Sequence, residues 1–469
     1  MEKKVEIKVE KKASLFKMVS FTVCGILVLD SFVAPAAMGV SSITLWLLTA
    51  IVFFIPYGLI NAELGATYPE DGGIYAWVKR AFGEFHGTMV AWFYWVSVAF
   101  WMPAVFIAFS WWFSLAFAPN LGTLASASIT VFMCWVVVGI GIRGVELGIK
   151  VTNIAALVKT GVLLVFGGMG VVYAFQHGTA NDFSLANFAL SFNFNSIAFS
   201  SAIVYNLLGF ELISSIASSI ESPEKNIPKM TIMAGVAIAA LYIIGTFGVL
   251  VAIPADAIDP LDGFFYALKE LCTVFGGGST IAFNIIMSCA LFTLVSNMIS
   301  WSMGSVEILD EAEFSKKTKV LGHRHPKYDT PDYSYILMGC ISTLLIILNF
   351  ALGESANEAF WTILSFSFLV FFLPYVWLFP AAVKLRFKDK GLKRPYQVPF
   401  GSLGLLIAAF ICLAFILFSI GLLFFTGEGF DSLYHGTLII GTGLTTVAGI
   451  ALYRRSLRKD DNKDSKDIA

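Results

Sequence analysis

The sequence predicts an all-α integral membrane protein of twelve transmembrane helices, and three observations carry that prediction. Of its 469 residues, 57% are hydrophobic and only 13% are charged, about half the roughly 25% of a soluble domain. The apolar residues fall in runs long enough to cross a bilayer, and mean hydropathy is +0.79. The lysines and arginines gather in alternate inter-run segments.

Runs of about 20 apolar residues bounded by charge, Gly or Pro define the spans in order. The charged alternation MEKKVEIKVEKK precedes the first, 15–39; no small-residue cleavage site follows it, so it reads as a span and not a removable signal. The second, 43–64, and the third, 86–117, flank the polar segment ATYPEDGG. The short APNLG separates the third from the fourth, 123–142. The fifth, 151–174, follows Lys150, and the sixth is 196–220. The seventh, 229–253, begins after Pro228, and the eighth, 278–309, after a glycine run. A basic loop leads to the ninth, 334–352, followed by the tenth, 359–383. A second basic loop leads to the eleventh, 402–425, and the twelfth, 434–453. Spans three and eight are long enough to tilt or protrude.

With the N-terminus inside, the inner segments carry Lys3 to Lys17, Lys79, Arg80, Arg143, Lys150, Lys225 and Lys229. They also carry the clusters Lys316–Lys327 and Lys384–Arg394 and the tail from Arg454 to Lys466. The outer loops hold Lys269 alone. The positive-inside rule then places both termini in the cytoplasm of a cell-membrane protein and requires an even number of spans. The domains expected are an N-terminal tail 1–13, a membrane domain 14–454 and a solvated, disordered C-terminal tail 455–469.

Several function classes drop out. A net charge of −1 gives no field for nucleic acid. There is no HExxH, GxxxxGK[ST] or GxSxG, and Gly72–Gly73 is too short to cradle phosphate, so neither an enzyme nor an ATP-driven pump is expected. The six cysteines lie far apart, five of them in apolar runs and Cys272 in a loop, and read as small core residues. His323 and His325 sit in the loop LGHRHPK with no supporting ligands, so no metal or other cofactor is expected.

Three ionisable residues fall inside spans, where a charge costs several kcal/mol and marks function by default. Asp30 sits midway along span one in GILVLDSFVAP, Lys159 in span five in AALVKTGVLLV, and Glu211 midway along span six in YNLLGFELISS. Glu63, Glu307 and Asp310 read as interfacial charges. Gly25 and Pro35 flank Asp30; Asn206 and Gly209 precede Glu211, with Ser214 and Ser215 after it. Both spans are therefore expected to be discontinuous, with solute bound at the exposed backbone near the midplane. Breaks in the first and sixth spans fit two five-helix inverted repeats, about 14–175 and 196–386, with helices eleven and twelve (about 402–454) added. Asp30 and Lys159 either pair with each other or serve solute and coupling separately; Glu211 either binds solute or stays protonated on freed backbone.

The segments ELGATYPEDGGIYAWVKRAFG and ESPEKNIPK, with Pro69, Gly72, Gly73, Tyr75, Glu221, Pro223, Ile227 and Pro228, resemble the amino acid–polyamine–organocation superfamily over roughly residues 14–454. FFIPYGLINAELGATYPEDGGIYAWV looks closest to its bacterial glutamate/GABA and amine-exchanging branch. The resemblance implies a LeuT-like five-plus-five fold and alternating access. It places substrate at Asp30, Ser31, Tyr205, Glu211 and Trp301; Asn206 and Gly209 join them as the polar and flexible residues of the second break, and Trp101 as a further aromatic for cation–π contact. It also implies that Lys159 replaces a sodium ion, tying helix five to helices one and eight, and that Glu211 serves coupling or gating. Where family members bind a substrate carboxylate on a Gly-Ser-Gly-like break, this chain has Leu29-Asp30-Ser31. Two like charges ~4 Å apart cost roughly 4 kcal/mol at an effective dielectric of ~20, so Asp30 disfavours a carboxylate and favours an ammonium.

Two readings stay open at this stage. One is a sodium-independent antiporter of cationic amines or polyamines, of the agmatine/putrescine type or an amino acid against its decarboxylated amine. The other is a proton-coupled or exchanging transporter of zwitterionic amino acids, with Lys159 neutralising Asp30 and Glu211 carrying the proton. Either works without an obligatory protein partner, as a monomer or homodimer.

Overall fold

A computed structural model describes residues 14–29, 32–190, 194–352, 356–425 and 429–467. Among these, every regular element is helical. Eleven helices are long and apolar enough to cross a membrane, and Leu15–Ile26 is a shorter apolar helix before them. In chain order the main elements are α1 (Leu15–Ile26), α2 (Val33–Ala36), α3 (Ser41–Thr67), α4 (Ile74–Phe82), α5 (Glu84–Phe117), α6 (Thr123–Ile142), α7 (Val145–His177) and α8 (Phe194–Asn206). After these come the 3₁₀ segment α9 (Phe210–Ser219), α10 (Pro223–Ala252), α11 (Gly263–Leu271), α12 (Ser279–Glu311), α13 (Asp332–Ala351), α14 (Ala356–Lys388), α15 (Gly401–Leu423) and α16 (Ser432–Asp467).

The first and sixth spans are interrupted, as the sequence predicts. α1 ends at Ile26, and Leu27 turns extended (φ −76°, ψ 113°). α8 ends at Asn206, and Gly209 leads into α9 at φ 127°. Inside α3 a π-turn spans Ala50–Phe54, just before Pro56, which lacks the N–H that would continue the α-ladder. α5, α7, α12 and α14 each run 33 or 34 residues, about 50 Å, longer than a hydrocarbon core of roughly 30 Å. With α10 at 30 residues and α16 at 36, more helices have the length to tilt than the two expected. The C-terminal tail differs as well: α16 continues to Asp467 instead of giving way to an irregular end. Cys272 opens a short 3₁₀ turn, Cys272–Gly278, and is buried.

α5 and the α8–α9 pair form the centre, with 83% and 78% of their most apolar stretches buried; α16, at 17%, lies at the periphery. The basic segments meet at one end. Lys79 on α4 pairs with Glu84 and Glu313, Arg80 with Asp389, and Arg324 with Asp310. Glu63, at that same end, is enclosed in protein: it is 2% exposed, and Arg386, Arg394 and the N–H of Val398 all donate to its carboxylate. The glycine pair that the sequence offers no phosphate use for is a packing device. Gly72 donates its N–H to Ser215 O (3.2 Å). Gly73 adopts φ 44°, and a Cβ there would lie 3.1 Å from Glu211 O, Ser214 C and Ser215 N. Only glycine lets this turn close beneath α9.

Candidate functional site

Each break exposes backbone groups that need partners. At the end of α1, Lys159 on α7 donates its Nζ to Cys24 O (2.8 Å) and to Leu27 O. Asn297 on α12 donates its Nδ2 to Cys24 O and Gly25 O, both at 2.8 Å. Trp301 Nε1 donates to Gly25 O at 2.7 Å. Tyr242 on α10 donates to Ile26 O (2.7 Å) and accepts the N–H of Val28 (3.1 Å). A buried ammonium thus sits on the negative end of a half-helix, where its charge is favoured.

The second break is served from α3 and α10. Tyr57 accepts the N–H groups of Gly209 (2.9 Å) and Phe210 (3.0 Å). Tyr242, which also serves the first break, donates to Asn206 O at 3.2 Å. A Cβ on Gly209 would lie 3.0 Å from Ile26 and 3.1 Å from the Trp301 ring, so the two breaks and α12 approach one another only because this residue is glycine.

Glu211 is completely buried. Three phenols donate to its carboxylate: Tyr57 of α3, Tyr94 of α5 (2.8 Å) and Tyr375 of α14 (2.5 Å). Hydrogen bonds of this kind to an ionised acceptor are about twice as strong as neutral ones. One carboxylate therefore holds together four elements.

Beside it lies a cluster of aromatic rings. Trp101 packs edge-on against Tyr205 (centroids 6.2 Å apart) and Trp301 (5.7 Å). Tyr205 stacks on Phe368 at 3.8 Å, and Phe371 touches both Tyr205 and Trp301 at 5.2 Å. Tyr94 stands between the cluster and Glu211, its ring 6.1 Å from Trp301 and its hydroxyl on the carboxylate.

The structure brings Trp101, Tyr205, Asn206, Gly209, Glu211 and Trp301 together around the two breaks. Lys159 links α7 to the end of α1, and the link from there to α12 is made by Asn297. Asp30 and Ser31 lie outside the described residues. Glu211 is one side-chain layer behind the aromatic cluster. Sequence reasoning missed Tyr57, Tyr94, Tyr242, Asn297, Phe368, Phe371 and Tyr375. The signal for five of them was a polar group inside an apolar run; the two phenylalanines carried none. Among the described residues no group of His, Cys, Asp and Glu could hold a metal ion.

The family comparisons agree with this architecture. The amino acid permease family model matches residues 14–448, and the chain belongs to that family, within the amino acid–polyamine–organocation superfamily. It is a multi-pass membrane transporter and not an enzyme. It is 33% identical over 416 residues to a protein of Lactococcus lactis described as a probable agmatine/putrescine antiporter, covering 88% of each chain. It is 26% identical to a serine/threonine exchanger of Bacillus subtilis (76% of this chain, 77% of the relative). It is 24% identical to a glutamate/gamma-aminobutyrate antiporter of Lactococcus lactis (85% and 81%).

Proposed function

We propose that this protein is a sodium-independent antiporter of cationic amines, of the agmatine/putrescine type or exchanging an amino acid for its decarboxylated amine. The observation that carries this reading is the aromatic cluster of Trp101, Tyr205, Trp301, Phe368 and Phe371 packed against the two helix breaks. Ring faces attract a desolvated ammonium or guanidinium by up to ~2 kcal/mol each. Asp30 and Ser31, which the sequence puts in the first break, add a negative charge and a hydroxyl; Asn206 and Gly209 supply the second break. Likeness to a described agmatine/putrescine antiporter supports the substrate class.

Twelve spans in a LeuT-like five-plus-five arrangement complete the reading: α1 and α2 form the first span, and α8 and α9 the sixth. The repeats are about 14–175 and 196–386, in a membrane domain 14–454 with both termini in the cytoplasm of a cell-membrane protein. Lys159 supplies the fixed positive charge at the end of α1 that a sodium ion would otherwise provide. Glu211 is the coupling group: its ionised form holds Tyr57, Tyr94 and Tyr375, and protonation loosens that hold so α9 can move relative to α5 and α14.

The test is exchange in proteoliposomes loaded with putrescine. External agmatine or putrescine is expected to exchange, and Asp30→Asn to abolish it. Exchange restricted to zwitterions, or unaltered in the variant, overturns this reading. It would favour instead a proton-coupled or exchanging amino acid transporter, for which Lys159 at the first break and the likeness to a serine/threonine exchanger speak.

A further inference from the structure

The seam between α3 and α9, directly beneath Glu211, holds two buried polar atoms with no hydrogen-bond partner. Asn61 donates its Nδ2 to Tyr57 O at 2.9 Å, and its Oδ1 is enclosed and unbonded. Ser214 Oγ is likewise enclosed and unbonded. Each residue is 1% exposed. Buried polar atoms are nearly always satisfied, by protein or by ordered water.

Register brings the two together. Tyr57, Asn61 and Gly65 follow one another at four-residue spacing and share a face of α3. Tyr57 meets Glu211 at one end of that face. At the other end, a Cβ on Gly65 would lie 2.9 Å from Ser214 Oγ. Asn61 falls between them. On α9 the 3₁₀ winding aligns residues three apart, which puts Ser214 beneath Glu211 at a rise of about 6 Å. An enclosed amide oxygen that accepts and an enclosed hydroxyl that donates and accepts are the pair a bridging water would satisfy. Toward the inner end the seam runs past Ile227 and the Gly72–Gly73 turn. Next to that turn, Asp71 accepts the N–H of Ser218 at 2.8 Å and is half-buried.

We propose that this seam holds water and is the route by which Glu211 exchanges its proton with the inner solution, through Ser214 and Asn61 and past Asp71. The step balances. Asp71 takes a proton from solution and gives it to the seam water, which passes one of its own to the Glu211 carboxylate. Water and carboxylate at the mouth are regenerated, and Glu211 gains one proton. The titratable groups facing Glu211 among the described residues are Tyr57 of α3, Tyr94 of α5 and Tyr375 of α14.

The proposal rests on Glu211 being the coupling group, and the experiment separates the two. Full-length protein in lipid is followed by infrared difference spectroscopy as pH is stepped from mildly alkaline to mildly acidic. A carboxylic-acid band absent from Glu211→Gln reports protonation of Glu211; if no such band forms, the coupling role itself fails. Given the band, Ser214→Ala and Asn61→Leu are expected to slow its appearance about tenfold or more, the size of a lost proton-transfer partner, with its final amplitude kept. Ser214→Thr, which keeps the hydroxyl, restores the rate. A wild-type rate in both Ser214→Ala and Asn61→Leu overturns the route. Wild-type protein gives an independent reading free of folding effects. Radiolytic hydroxyl labelling in water should mark the buried Tyr57 and Ile227, and their failure to label overturns the proposal.

Discussion

The hydroxyl of Tyr57 accepts two backbone N–H groups at the second break and hands its own proton to Glu211. It is therefore fully used, and its three partners are buried. Tyr57→Phe removes the group while keeping the ring. Stranding buried donors costs ~1–3 kcal/mol each. The variant is expected to lower the melting temperature of the purified protein and to cut exchange at least tenfold; wild-type values for both would refute the assignment of Tyr57 as the anchor of this break.

Lys159 offers a separate test. If its ammonium fills the place of a coupling ion, exchange by the wild type runs at the same rate with sodium replaced by choline. Lys159→Met keeps the apolar stem and leaves the Cys24 and Leu27 carbonyls without that donor. Exchange is expected to fall by more than tenfold, and sodium is not expected to rescue it. A sodium-dependent wild type would contradict the fixed-cation role.

Gly73 and Gly161 make a matched pair. Alanine at Gly73 meets both a φ of 44° and three backbone atoms of α9 at 3.1 Å. Gly161 is inside α7 with open space at its Cβ position. Gly73→Ala should therefore destabilise by more than ~1 kcal/mol and impair transport, while Gly161→Ala is neutral or stabilises by roughly 0.5–1 kcal/mol. Thermal unfolding of the two variants side by side decides it.

At the end where the basic segments meet, the hydrogen bond from Arg80 holds the Asp389 carboxyl below its ordinary value. A lowered folded value means the stabilisation is fully present above the ordinary aspartate pKa of about 3.9 and is lost as pH falls through the lower one. The melting-temperature difference between wild type and Asp389→Asn should accordingly be constant from neutral to mildly acidic pH and shrink in strong acid. A difference that grows on acidification would reverse the sign and exclude the ion pair as its source.

How far the sequence could be read follows from what each feature depends on. Hydropathy marked the spans because crossing a bilayer is a property of one segment at a time. Gly209 and Gly25 exposed the breaks, since a helix interruption needs local backbone freedom. Asp30, Lys159 and Glu211 stood out as charges in apolar surroundings. The partners did not. Tyr57, Tyr94 and Tyr375 are spread over more than 300 residues of chain, and their convergence on Glu211 is set by helix packing. The burial of Glu63 was not legible because Arg386, in the last turn of α14, and Arg394, just beyond it, enclose it from far along the chain. The extended C-terminal helix escaped notice because composition reports solubility and not winding.

Tyr242 has one proton and two carbonyls within reach, Ile26 O and Asn206 O. Strengthening its bond at one interruption weakens its bond at the other. The two half-helix ends therefore share a donor that neither can monopolise, which makes their rearrangements arithmetically dependent. One hydroxyl thus ties the two interruptions into a single hydrogen-bonded unit.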